Sequence, residues 1–374
     1  MSDYLIIGGG IHGAACAFEL ARQGAKVRLL ESSSIASAAS GGPGQRGVRA
    51  NKRDRRELPL MALAYRRWPS LHEELGCAPT YQRTGSLTLI ERDQDLEAAP
   101  ARVWMQEQLG IESRLVMREE LVEMAPGLAD GVQAAIHCPG DGTARHADTT
   151  RHFAEAARRA GARIDEHTAL ESLHMQGSRV SAAITATGER IEIGKCCLLL
   201  SNASVAELLR RSVGLTLPVW STCLQVMLVR PMSPMRIDHL IGHLSRTVAI
   251  KSECDGQVMI SGGFRGVWDA SSHTGSTVPE AIERNLAEAV AVFPALAGAE
   301  VVCADANHLE AMCIDEVPII DRLSADSNLY YATGWTGHGW AIAPAVSRLL
   351  VEWVRSGDRP PLLAPFSRDR FAPR

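Results

Sequence analysis

Three glycines near the start of the chain, Gly8, Gly10 and Gly13, stand in the order G-x-G-x-x-G, with Ile11 and His12 inside the pattern and a carboxylate, Glu31, further on. In such a pattern Gly8 allows a tight turn, Gly10 lets the backbone approach a pyrophosphate, and Gly13 lets a helix close on a strand. A helix opening there directs free N–H groups and its positive dipole end at the anion. Glu31 could accept from ribose hydroxyls, and its charge would repel the extra phosphate of NADP. The pattern leaves NAD and FAD as alternatives.

Other residues could do chemistry with less support from their spacing. His338 stands between Gly337 and Gly339; a proton-transfer role is weighed against a role for its backbone alone, which the flanking glycines favour. His239 and His243 could share one helical turn as metal ligands, but no third ligand stands nearby, so surface or pocket lining is favoured and no metal is expected. The basic run Arg46, Arg49, Lys52, Arg53, Arg55 and Arg56 has no aromatic residues interleaved with it. It reads as a loop meeting anions or solvent, not as a nucleic-acid surface. Nine cysteines without a C-x-x-C pair suggest reduced packing residues.

The glycines need a strand before them and a helix after them. Residues 4–7 are an apolar run, and Ala14, Ala17, Phe18 and Ala21 recur at helical spacing. Residues 26–30 supply a second strand ending at Glu31, which completes a βαβ unit. Residues 32–47, rich in Ser, Ala and Gly, predict a loop wrapped closely around a ligand. Residues 57–75 predict a helix broken near Pro69, 83–90 a strand, and 94–109 and 118–124 helices. Residues 141–146 predict a loop before a helix that runs to Ala160. Strand-like pieces follow at 163–165, 169–171, 180–187 and 196–200. Residues 218–264 are mostly β-like, with a hairpin turn at Asp255-Gly256. A helix at 279–292, a strand at 329–332 and a helix at 341–355, with Pro344 in its first turn, complete the chain.

With 374 residues, 46% hydrophobic and 22% charged, the chain can bury a large core, and a net charge of −4 gives no reason to expect nucleic acid. No apolar run is long enough to cross a bilayer, although peripheral membrane association stays open. A strand-like run from Tyr4 leaves no room for a secretion signal, so a cytoplasmic location is expected.

The segments around the fingerprint decide between the two cofactors. The chain resembles the D-amino-acid-oxidase-like FAD family, which includes glycine and sarcosine oxidases, over nearly its whole length. The resemblance is carried by Gly8 to Gly13 with Glu31, by Ala39-Ser40-Gly41-Gly42 leading to Gly47-Val48-Arg49, by residues 198–203, by Asp315-Glu316-Val317-Pro318-Ile319-Ile320, and most specifically by residues 332–344. It implies an α/β (mixed α+β) fold, in which a Rossmann-type FAD-binding domain of residues 1–80, 141–217 and 310–374 is interleaved with an antiparallel-sheet substrate domain of residues 81–140 and 218–309. Ser32 to Ser40 would line the ribityl and pyrophosphate portion, with Leu170 near the adenine and Gly41 and Gly42 near the ring. Asn202, Gly334, Gly337, His338, Gly339 and Trp340 would complete the flavin end. No cysteine lies within residues 334–344, so noncovalent FAD is expected.

The implied reaction is hydride removal from the carbon beside an amine to flavin N5, giving an imine that water hydrolyses. Gly47-Val48-Arg49, residues 56–60 and Arg359-Pro360-Pro361-Leu362 look most like the beta subunits of D-hydroxyproline dehydrogenases, opine oxidases and sarcosine-oxidase-like heteromers. Electrons would then leave to a partner subunit. A self-contained oxidase that makes hydrogen peroxide and a non-catalytic FAD-containing assembly subunit are the alternatives. Arg49 or Arg46 would anchor a substrate carboxylate, weighed against solvated loop arginines. Three residues depart from the family pattern. Glu310 stands where many members carry a carboxylate-binding arginine, and it could meet a substrate amine or form a structural salt bridge. Ser201-Asn202 replaces Ala-Gly, and Asp321 replaces a glycine with no physical reason evident from sequence.

Overall fold

The computed structural model describes residues 2–253 and 255–372. Strand Ser2–Ile7 shows why its sequence is apolar at successive positions: Tyr4 and Ile6 pack toward one core, and Leu5 and Ile7 toward another. Both faces of a parallel sheet are covered, so alternation with polar residues is lost. On one side lie helices Ile11–Ala21, His146–Arg159 and Ala343–Ser356. On the other lie helix Val205–Val213 and the hairpin of Leu170–Gln176 with Arg179–Thr185.

Ser2–Ile7 pairs in parallel with Val27–Leu30 and with Arg190–Leu199, and Val27–Leu30 pairs with Arg163–Asp165. The long strand Arg190–Leu199 serves two neighbours. Its first half runs antiparallel to Arg179–Thr185, and its second half runs parallel to Leu329–Thr333. The last strand thereby delivers residues 334–342 to the same end of the sheet as Gly8, whose N–H donates to Leu30 O at 2.9 Å.

A second eight-stranded sheet runs in the order Glu300–Asp305, Val226–Arg230, Val258–Ser261, Ala249–Ser252, Leu240–His243, Ser86–Ile90, Ala134–Cys138, Arg114–Met117. It is antiparallel at every junction but one, where Leu240–His243 runs parallel to Ser86–Ile90. The residues of Asp255-Gly256 link Ala249–Ser252 to Val258–Ser261, with Glu253 N donating to Gln257 O at 2.8 Å. Helix Pro279–Val292 covers one face through Ala289 and Val292, against Ile241, Ile250 and Ile260.

Two expectations are corrected. Residues 141–146 are not a loop throughout: Gly142–Arg145 is a strand that pairs with Gln45–Val48 and with Tyr81–Gln82. The long small-residue loop therefore ends as a strand, which the glycine content of both segments hid. His239 and His243 share no helical turn, because Leu240–His243 is a strand in which successive side chains face opposite ways. The basic run meets anions of the chain itself in part and solvent in part, with Arg55 exposed. Arg53 is buried against Glu57, Arg56 bridges Asp54 and Asp315, and Lys52 donates to His243 O. Among the described residues, no helix is long and apolar enough to cross a membrane.

Candidate active site

At the start of helix Ile11–Ala21 the three glycines differ in what surrounds them. A Cβ on Gly13 would lie 1.8 Å from Gly8 O, and one on Gly8 would lie 2.8 Å from the backbone of Ser201. A Cβ on Gly10 would meet nothing within 4 Å, so the helix N-terminus opens above this residue. The N-cap is Gly10 itself, which has no side chain to take up the first N–H groups. Glu31 accepts from Gly9 N at 2.6 Å and from Ser33 N at 2.8 Å. These bonds fix the carboxylate beside the turn, and Oε2, which accepts only from Gly9 N, keeps a lone pair for a ribose hydroxyl. Ser32 Oγ donates to the same carboxylate, and Thr168 N donates to Glu31 O, which brings the segment leading to Leu170 alongside.

The C-terminal signature is tied to this turn by a ring stack. His12 lies parallel to Trp335 with centroids 3.8 Å apart, and a Cβ on Gly339 would come within 2.6 Å of the same indole. Burial pushes the His12 imidazole down to about 3, so it is neutral and acts by stacking. Gly334 and Gly337 have φ of 73° and 76°, a region that few side chains tolerate. Asn202 adopts φ of 46°, as its replacement of a glycine requires.

Glu310 joins these segments. Its carboxylate accepts from Ser40 Oγ at 2.5 Å, from Asn202 Nδ2 at 3.2 Å and from Gly337 N at 3.0 Å. Burial lifts its pKa above the ordinary carboxylate range, against the pull of those three donors. It forms no salt bridge among the described residues; its bonds are to a hydroxyl, an amide and a backbone N–H. Two buried polar atoms nearby, Asn202 Oδ1 and Trp340 Nε1, have no partner among the described residues. A polar ligand threading between Gly10, Ser40 and Trp340 would meet that demand, so the residues present fit a dinucleotide.

Arg46 bends back on its own loop, donating to Ser40 O at 3.1 Å, Pro43 O and Gln45 O at 3.4 Å each, and Gly42 O. It holds Gly41 and Gly42, with φ of 84° and 66°, in their turn. Arg49 donates to Asn51 O at 2.6 Å, and burial followed by the neighbouring charge of Arg53 lowers its pKa. Behind both lies a pair that sequence reading did not single out: Arg53 donates to Glu57 at 3.0 Å, and both side chains are buried. Arg53 also donates to His338 O at 2.9 Å, while His338 Nδ1 lies 3.3 Å from Glu57 Oε1. His338 is thus fixed through its backbone and its ring alike. The spacing Arg53-x-x-x-Glu57, ahead of an apolar helix, was the available signal.

Asp321 also finds its reason. It accepts from Ser367 Oγ at 3.0 Å, Arg368 N at 2.8 Å and Arg359, so it anchors residues 359–368 against strand Ile319–Arg322. Asp141, read from sequence only as part of a loop, is a fully buried hub that accepts from Ala50 N at 2.6 Å, Ser86 Oγ at 2.5 Å and Tyr65. It joins the turn after Gln45–Val48 to the second sheet.

Comparison with known proteins extends these observations to the whole chain. Residues 3–353 match the protein family described as FAD dependent oxidoreductase. The chain is 26% identical to the sarcosine oxidase subunit beta of an Arthrobacter species, over 99% of this chain and 91% of that one. It is 26% identical to the glycine oxidase of Geobacillus kaustophilus, over 98% and 97%. Among solved structures, the L-proline dehydrogenase of P. horikoshii superimposes with a TM-score of 0.87 at 24% identity, covering 99% of this chain and 97% of that one. The open helix N-terminus at Gly10, the carboxylate of Glu31 and the glycine-rich return at residues 334–339 are features of a chain that belongs to the FAD-dependent oxidoreductase family.

Proposed function

We propose that this chain oxidises a secondary amine or amino acid, of the D-hydroxyproline, sarcosine, proline or opine type, at noncovalent FAD, with electrons passed to a partner subunit. Bound FAD supplies a hydride acceptor, and an imine product is then hydrolysed by water. The observation that carries the amine assignment is the end-to-end similarity to sarcosine oxidase beta subunits and glycine oxidase, because it includes the second sheet as well as the nucleotide-binding half. The partner assignment is supported by three relatives that are named as subunits, from Arthrobacter, Rhizobium meliloti and Rhodobacter capsulatus.

In this reading Gly8, Gly10, Ile11, His12 and Gly13 receive the pyrophosphate, Glu31 and Ser32 the ribose, and Leu170 the adenine end. Ser40, Gly41, Gly42, Asn202, Gly334, Gly337, His338, Gly339 and Trp340 surround the flavin end. Residues 1–80, 141–217 and 310–374 form the FAD-binding domain, with 81–140 and 218–309 as the substrate-covering domain. The division is supported by the strands of the first sheet falling within 2–30, 163–199 and 319–333, and those of the second within 86–138 and 226–305. Arg49 keeps N–H groups for a substrate carboxylate, whereas Arg46 is committed to its loop. His338, held by Arg53 and Glu57, sets the backbone that follows Gly337. Glu310 keeps Ser40, Asn202 and Gly337 in register.

The test is turnover of sarcosine, proline, D-hydroxyproline, glycine and opines, with oxygen or a dye as acceptor and carbonyl product as readout. Carbonyl formed with the dye and little with oxygen supports the dehydrogenase reading. Equal rates with stoichiometric peroxide would replace it with a self-contained oxidase. Retained flavin with no product from any amine would favour an assembly subunit.

A further inference from the structure

Helix Pro279–Val292 covers the face of the second sheet that carries Met227, Ile260, Ile250 and Ile241. The opposite face, by strand alternation, carries Leu228, Met259, Lys251 and Leu240 in neighbouring strands, with Leu228 paired to Met259 and Met259 to Lys251. Leu240 lies against Gly47, so this face looks toward the strand that follows the Ser40 to Gly44 turn. One lysine in an otherwise apolar row is 7% exposed, and its ammonium has no hydrogen bond or ion pair among the described residues. A buried cation without a partner is costly, and a structural role would have given it one.

The groups around it are already committed. Glu253, two residues on and on the same face, accepts from Gln45 N at 2.9 Å. Arg46 is bonded to the carbonyls of its own loop. His146 has Nδ1 3.1 Å from Gly44 O and stands edge-on to Trp340, and burial pushes it down to about 3, so it is neutral. The charged and titratable groups bearing on this corner are Arg46, His146, Glu253, Asp305 and Glu310.

We infer that Lys251 receives a carboxylate of the substrate on the sheet side of the site, near the Gly44 turn and His146. This rests on the amine-oxidation reading above and adds to it an anion contact from the covering sheet. Burial and then Arg46 pull the Lys251 pKa down to about 7, with Glu253 opposing. Around neutral pH a substantial share of the empty site is therefore the free amine. A carboxylate arriving there draws one proton from solvent, converting amine, proton and anion into an ammonium–carboxylate pair, and no electrons move. Binding weakens about tenfold per pH unit above the lysine pKa. An arginine such as Arg49 stays charged throughout this range and cannot produce that dependence.

The test is calorimetric titration of the FAD-loaded chain with acetate, propionate and benzoate from pH 6 to 9, in two buffers of different ionisation enthalpy. We expect proton uptake above pH 7 and a dissociation constant that rises through this range. Lys251→Met should weaken binding at pH 6.5 by at least 30-fold and flatten the profile, which also separates Lys251 from Glu310. Lys251→Arg should restore binding without the proton uptake. A pH-independent dissociation constant in the unmodified protein, no binding of any of the three, or unchanged binding in Lys251→Met would each overturn the inference while leaving flavin reduction by amines untouched. A chain that takes up no flavin would overturn the functional reading and the inference with it.

Discussion

Replacing Gly10 and Gly13 by alanine, one at a time, should separate cofactor binding from folding. Gly10 has φ of −72° and ψ of −178°, an extended conformation open to any residue, and its Cβ would meet nothing within 4 Å. Gly10→Ala should therefore change the stability of the flavin-free chain by no more than about 1 kcal/mol, because the stiffer unfolded chain and the poorer N-cap oppose each other. The added methyl would stand where a pyrophosphate must approach. Each charge-assisted hydrogen bond lost there is worth about 1.5–3 kcal/mol, or roughly 10- to 100-fold in affinity. Gly13→Ala forces a Cβ to within 1.8 Å of Gly8 O, so the backbone must move, and it should destabilise the flavin-free chain by about 1–3 kcal/mol or more. The assay is denaturant unfolding with and without FAD, beside fluorescence titration of FAD. At FAD 100-fold above its dissociation constant the unmodified chain gains about 2.7 kcal/mol. If binding weakens 100-fold, Gly10→Ala gains only about 0.4 kcal/mol at the same concentration. Gly10→Ala that takes up FAD with unmodified affinity would refute the placement of the pyrophosphate over this turn.

Three further outcomes follow from the same contacts. Asp321→Ala leaves Ser367 Oγ, the Arg368 N–H and the part-buried Arg359 guanidinium without their acceptor and should cost about 1–3 kcal/mol; limited proteolysis should then cut first within residues 359–372, and cleavage elsewhere would count against the anchoring role. Glu310→Ala removes the acceptor for three donors and should cost about 3 kcal/mol or more by thermal unfolding. Glu310→Gln should cost far less, because Asn202 can turn its unpartnered Oδ1 toward the new amide; equal losses in the two variants would contradict this. The His12 imidazole is pushed down to about 3, below its unfolded value near 6.5, so the unfolded chain binds the extra proton between these limits. Stability should fall by about 1.4 kcal/mol per pH unit as pH drops from 6.5, and His12→Phe should remove that share of the slope in denaturant titrations.

Much of this arrangement was legible in the residues themselves. The strand, glycine turn and helix at residues 4–22 follow from local patterning, and the positive φ of Asn202 follows from its replacement of a glycine. Strands Gln45–Val48 and Gly142–Arg145 were missed because their partners lie about a hundred positions apart and their sequences are small and polar, which propensity reads as loop. Asp321 had no explanation while the C-terminal tail had no position. Lys251 went unnoticed for a related reason: nothing in Ala249-Ile250-Lys251-Ser252 reveals that both faces of this strand are covered. For the basic run at residues 46–56 the sequence left anions and solvent open together, because composition cannot tell a solvated arginine from one folded onto a buried carboxylate or its own loop.

The central claim is that this chain oxidises an amine at bound FAD, and the visible spectrum of the purified protein under anaerobic conditions tests it most directly. Bands of an oxidised flavin should be present and should bleach on addition of at least one of sarcosine, proline, D-hydroxyproline, glycine or an opine. A folded sample that binds no flavin, or a flavin spectrum that no amine alters, would contradict the account.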